Sequence, residues 1–208
     1  MRSLGFIALI GVASAGLIFW LTRPTAPEPT RPEKESRRHP APPTDLQAVN
    51  RHIGQSIAGD MLQELNGNSS PARLPLKGKP LVLVFFRHDC DCSLEFARYF
   101  WAAMNTSKIK TDWYFVFPDT SEQISGFTSK AGLSLPALRD PDSRLAQRLG
   151  IAKSGCFILV DPQGKVSAIW PGVSLEGLRD LFSRLSLPAR LPAGLSGIPQ
   201  SPTAGCPL

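Results

Sequence analysis

Apolar residues follow two rhythms along this chain. Leu81–Phe86 is an unbroken apolar run with β-branched and aromatic members, the pattern of a buried strand. From Leu94 to Met104 the apolar positions Phe96, Ala97, Phe100, Ala103 and Met104 recur at helical spacing. Trp113–Phe117 predicts a second strand and Thr120–Lys130 a helix. A short helix follows, with Pro141 in its first turn and Gly150 at its stop. Cys156–Val160 and Lys165–Trp170 read as strands joined by the Asp161-Pro162-Gln163-Gly164 turn, hence as an antiparallel hairpin. Ser174 is placed to cap a last helix carrying Leu175, Leu178, Leu181, Phe182 and Leu185 on one side. Upstream, Leu46, Val49, Ile53, Ile57, Met61 and Leu65 predict one amphipathic helix over Asp45–Leu65, ended by Asn66-Gly67-Asn68. His52 falls on that helix as a surface residue rather than a ligand.

The flanks follow neither rhythm. Leu4–Leu21 is uncharged and almost wholly apolar, long enough to cross a hydrocarbon core of about 30 Å. Trp20 lies near its end, as interfacial aromatics do. A signal peptide cleaved at Ala13-Ser14-Ala15 is the rival reading, but it would leave a greasy new terminus, so an uncleaved anchor is expected. Gly11 and Ala15 make a small-xxx-small pair, a weak pointer to helix association. Thr22–Thr44 is rich in proline and charge and reads as a semi-extended spacer. Beyond Leu187, Pro, Gly and Ser predict a loose tail. The expected organisation is therefore an anchor (1–22), a linker (23–44), the amphipathic helix and a loop (45–71), one α/β domain (72–187) and a flexible tail (188–208).

Composition narrows the function. The net charge of +6 is modest and its signs are mixed, with no basic stripe interleaved with aromatics, so a nucleic-acid partner is not expected. Four cysteines in 208 residues do not make a disulfide scaffold. They fit reactive or metal-binding thiols. Cys90 and Cys92 stand at the predicted strand-to-helix turn, where free backbone N–H groups and the helix dipole stabilise a thiolate. Arg87 and a charged His88 would lower the Cys90 pKa further, while Asp89 and Asp91 oppose them, so sequence alone does not sign the shift.

The entry Lys77-Gly78-Lys79-Pro80, then Leu81–Phe86, then Cys90, resembles the thioredoxin-like superfamily, in particular its membrane-tethered TlpA-like and peroxiredoxin-like branches. "Asp140-Pro141-Asp142-Ser143 … Leu149-Gly150-Ile151 … Phe157-Ile158-Leu159-Val160-Asp161-Pro162-Gln163-Gly164-Lys165-Val166" resembles the same branches. The resemblance covers about Ala72–Leu185. It implies an α/β thioredoxin-like fold with a central mixed sheet of about four strands flanked by helices. Cys90 then takes the place of the nucleophilic first cysteine, Ser93 occupies the second cysteine's position, and Cys92 falls one residue early. The resemblance also puts Gly155 where the family carries a cis-proline facing the active-site cysteine, and Cys156 beside Cys90 and Cys92. A small buried core residue is the other reading of Cys156. Arg87-His88-Asp89 lack the Pro and Thr that precede a peroxidatic cysteine in this family, so peroxidase activity is disfavoured.

The resulting expectation is a tethered thiol–disulfide oxidoreductase acting on protein thiols or disulfides without a cofactor. Cys90 attacks, Cys92 or secondarily Cys156 resolves, and His88, Ser93 and Gly155 support. The alternatives are a copper or zinc site built from Cys90, Cys92, Cys156 and His88, and a redox-inactive binding module. Cys206 has three readings (mobile resolving thiol, intermolecular partner or bystander), of which bystander is expected. Arg23, Arg31, Lys34, Arg37 and Arg38 after the anchor favour a cytoplasmic domain. The resemblance implies the outer, periplasmic face of the cytoplasmic membrane, and that location is adopted.

Overall fold

The computed structural model describes residues 39–41, 43–65, 71–74, 78–106, 111–134, 136–187 and 197–208. The Leu4–Leu21 anchor and nearly all of the linker lie outside the described residues. Among the described residues no helix is long and apolar enough to cross a membrane.

In chain order the elements are β1 (His39–Pro40), α1 (Pro43–Asn50), β2 (Met61–Glu64), β3 (Pro71–Arg73), β4 (Leu81–Phe85), α2 (Asp91–Thr106) and β5 (Asp112–Phe117). Then come α3 (Ser121–Ala131), β6 (Ala137–Arg139), a 3₁₀ turn (Pro141–Ser143), α4 (Arg144–Arg148), β7 (Phe157–Val160), β8 (Val166–Trp170), α5 (Leu175–Arg184) and β9 (Thr203–Ala204). Seven strands form one mixed sheet in the order β3-β2-β6-β5-β4-β7-β8. β4, β5 and β6 run parallel, whereas β4–β7 and the β7–β8 hairpin are antiparallel. The strand β4 sits near the middle, and its five residues are all buried.

Alternation along β4 divides the core. Val82 and Val84, followed by Phe86, face the layer that holds α2, α3 and α5, while Leu81, Leu83 and Phe85 face the side covered by α1 and α4. A strand buried on both faces explains why its sequence runs apolar without a gap. Capping fixes the ends of the helices. Gln123 donates its backbone N–H to Thr120 Oγ1 at 3.3 Å, and Thr120 N–H donates to Gln123 Oε1 at 2.9 Å, a complete capping box on α3. Thr120→Ala should cost about 1 kcal/mol in a denaturant melt. Ser174 caps α5 by accepting from Gly177 N–H at 2.9 Å, as its position in the sequence predicts.

Three expectations are corrected. The helix over Asp45–Leu65 stops at Asn50. The chain then turns through Gly54 (φ +87°) and Gly59 (φ +93°), left-handed positions that break a helix, and Met61–Glu64 is a strand. Val49 and Ile57 are buried, but Ile53 (48 % exposed) and Met61 (47 %) are not, so the predicted face is not one face. His52 lies on a turn, half-buried, with Nδ1 2.9 Å from Gln55 Oε1. The sheet has seven strands rather than about four, because β2, β3 and β6 extend it beyond β5. The third correction concerns the tail: residues 197–208 lie against the domain.

Candidate active site

The backbone of β4 leads through Phe86 to a turn, and α2 opens directly after Cys90. Leu94 donates its N–H to the Cys90 carbonyl at 3.3 Å, which makes Cys90 the residue that starts the helix. Ser93, where the family's second cysteine would stand, is buried and accepts the Arg87 N–H at 3.3 Å, closing the turn from inside. Cys90 and Cys92 are both buried on the α2 side of the sheet.

Around the Cys90 sulfur the donors converge from three segments. Ser154 Oγ lies 3.5 Å away and the Cys206 backbone N–H donates at 3.2 Å. The Cys92 and Cys206 thiols also hydrogen-bond to it. Cys92 has the largest effect, and these donors together outweigh burial, which opposes the charge. The Cys90 pKa falls from the ordinary 9.0 to about 3. Cys92, whose proton is held on the Cys90 sulfur and which is itself buried, moves the opposite way. Cys206 is pushed up to about 11 for the same first reason.

Arg87 and His88 are occupied elsewhere. Arg87 Nε lies 2.6 Å from Asp89 Oδ1, and its Nη1 donates to the Pro207 carbonyl at 3.0 Å. His88 turns to Asp119, with Nδ1 2.7 Å from Oδ1 and its backbone N–H 2.9 Å from Oδ2. The low pKa of Cys90 therefore comes from hydrogen bonds and not from Arg87 or His88.

Cys156 is not part of the site. It precedes β7 in phase with Ile158 and Val160, on the face opposite Cys90, and burial raises its pKa. This is the core-residue reading. The residue that meets Cys90 is Ser154, two positions earlier. Gly155 has φ +84°, donates its N–H to the Phe85 carbonyl at 2.8 Å, and leaves a Cβ only 2.9 Å from the Phe96 ring. A proline there would lose that donor. Cys156→Ala should leave thiol exchange rates unchanged in a coupled thiol assay.

Cys206, for which the sequence favours the bystander reading over the mobile-thiol one, lies at the site with its backbone N–H on the Cys90 sulfur. The tail's prolines disguised a segment that pairs by backbone. The one available signal was a cysteine directly after glycine, which permits close approach.

This sheet, with a cysteine starting the helix that follows its central strand, defines a thioredoxin-like protein. Residues 55–169 match the AhpC/TSA family, and the chain belongs to that family. No curated protein sequence matches it. Among solved structures it resembles the C-terminal domain of a Bacteroides thetaiotaomicron protein assigned as a thiol–disulfide oxidoreductase (19 % identity, TM-score 0.51, 64 % of this chain and 95 % of that one). It also resembles a cysteine-to-serine mutant of Xylella fastidiosa PrxQ (16 %, 0.51, 64 % and 94 %). A secreted Mycobacterium tuberculosis disulfide oxidoreductase is similar at 20 % identity (0.46, 62 % and 95 %).

Proposed function

We propose that this domain performs thiol–disulfide exchange on protein partners, with Cys90 as the attacking sulfur. The observation that carries this reading is the convergence of the Cys206 N–H and the Ser154 hydroxyl on the Cys90 sulfur at the start of α2, an arrangement that favours the thiolate. A thiolate is the reactive form, and a low pKa also makes it the better leaving group. Cys90 attacks a partner disulfide, forming a mixed disulfide and releasing one partner thiolate. A second thiol of this chain then attacks the Cys90 sulfur and releases the other. Stabilisation of the reduced form makes the resulting disulfide oxidising, so the equilibrium leans towards passing it to partner dithiols. Family membership and the likeness of the fold to disulfide oxidoreductases support the reading. The test is disulfide transfer between this protein and a model protein, followed by thiol release. Catalysis in step with protein concentration is expected, and its absence contradicts the reading.

Tethering by Leu4–Leu21, with the domain on the periplasmic side, is part of the proposal. Membrane fractionation and protease protection of whole cells test it. Against the copper or zinc alternative stands the placement of Cys156 on the face of the sheet opposite Cys90 and Cys92. A pH dependence follows as well. The depressed Cys90 pKa contributes stability that is fully present above about pH 9 and is lost as pH falls towards about 3. Thiolate ultraviolet absorbance should persist to about pH 3, and in Cys92→Ala, which removes the strongest donor, it should fade at higher pH.

A further inference from the structure

Residues 197–208 form a strap across the site. Leu175 N–H donates to the Pro199 carbonyl at 2.8 Å, and Ile198 is buried in the core. β9 pairs with β1, and Thr203 exchanges both backbone hydrogen bonds with Val173, at 2.8 and 3.0 Å. The strap then runs antiparallel to Ala152–Ser154. Gly205 N–H donates to the Ser154 carbonyl at 2.8 Å, Ser154 N–H to the Cys206 carbonyl at 2.9 Å, and Leu208 N–H to the Ala152 carbonyl at 3.0 Å. Two glycines permit this approach. A Cβ on Gly172 would lie 2.6 Å from the Thr203 carbonyl oxygen, and one on Gly205 would lie 3.0 Å from Cys90 Sγ and against Ser154 Oγ. The strap leaves Cys90 only 2 % exposed and lays Cys206, itself half-buried, on its sulfur.

We infer that Cys206, delivered by this self-docked strap, is the thiol that closes a disulfide on Cys90. The inference rests on the exchange reading above and replaces Cys92 as the resolving thiol. Cys92 donates to the Cys90 sulfur but is fixed in the first turn of α2, two residues on, where closing a disulfide would distort the helix backbone. Cys206 is on an extended segment that can shift towards Cys90 without deforming the helix. It also gives up its proton more readily than Cys92. The oxidant is a disulfide, protein-borne or of low molecular weight. Cys90 thiolate attacks one of its sulfurs, so a Cys90–S bond forms, the oxidant's S–S bond breaks and one thiolate leaves. Cys206, deprotonated, attacks the Cys90 sulfur; the Cys90–Cys206 bond forms and the second thiolate leaves. Two electrons pass from Cys90 and Cys206 to the oxidant. Its two thiols take one proton from Cys206 and one from solvent, since Cys90 held none.

The experiment treats the reduced protein with oxidised glutathione, quenches in acid and maps disulfides by mass spectrometry. Wild type and Cys92→Ala should give a Cys90–Cys206 peptide as the main product. In Cys206→Ser, the Cys90–glutathione adduct should rise from a trace to the major species. Gly205→Val, which keeps the thiol but forces the strap off, should accumulate the same adduct; a Cys90–Cys206 bond as the main product there would overturn delivery by the strap. A Cys90–Cys92 bond in wild type, with Cys206 alkylatable, overturns the inference and leaves the exchange reading standing. No adduct or disulfide on Cys90 in any variant overturns both.

Discussion

Cys90→Ser reduces disulfide transfer to a model protein by roughly three orders of magnitude or more, to the uncatalysed rate, while the thermal melt stays cooperative. A serine hydroxyl is not ionised at neutral pH and forms no mixed disulfide, so the attacking step disappears rather than slows. Partial losses are expected from changes to the groups that tune the sulfur. Cys92→Ala and Ser154→Ala each remove one donor to the thiolate and leave the attacking atom in place. Rates within a few-fold of wild type for Cys90→Ser would move the chemistry to another thiol.

Phe86→Ala destabilises the domain by about 3–5 kcal/mol, the usual cost of deleting a fully buried ring. Its ring has no exposure and centres a cluster with Phe115 at 5.2 Å, Phe117 at 6.1 Å, Phe127 at 6.3 Å and Phe100 at 6.4 Å. A midpoint shift in guanidinium unfolding measures the loss, and the melting temperature should fall by roughly 2–4 °C for each kcal/mol. The same substitution should slow exchange in the folded fraction, because Phe86 is the last fixed residue before the turn that carries Cys90. A loss below about 1 kcal/mol would mean that the core between β4 and α2 is not packed as described.

The sequence was most legible where a single rhythm persisted. β4, α2, β5, α3, the β7–β8 hairpin and α5 all follow from period and punctuation, and the place of Cys90 and Cys92 at the start of α2 follows from the end of the β4 run. Asp45–Leu65 misled because Val49, Ile53, Ile57 and Met61 sit four apart by coincidence, and the two glycines that reverse the chain were outvoted by that spacing. Cys156 carried two readings, a third thiol set beside Cys90 by the resemblance and a small core residue. Its face is set by Ile158 and Val160, but which face carries α2 is a property of the assembled sheet. β9 was hidden because a two-residue strand between prolines has no period. What holds it is backbone pairing and the absence of a side chain at Gly172 and Gly205, neither of which leaves an apolar pattern.

The most direct test of Cys90 as the attacking sulfur is a trap. The reduced Cys92→Ala/Cys206→Ser variant, which lacks both thiols able to release a partner from Cys90, is mixed with excess disulfide-bonded model protein, quenched in acid and digested. A mixed disulfide joining the partner's cysteine to Cys90 is the predicted product. An unmodified Cys90, or a partner attached at Cys156 instead, would contradict the account.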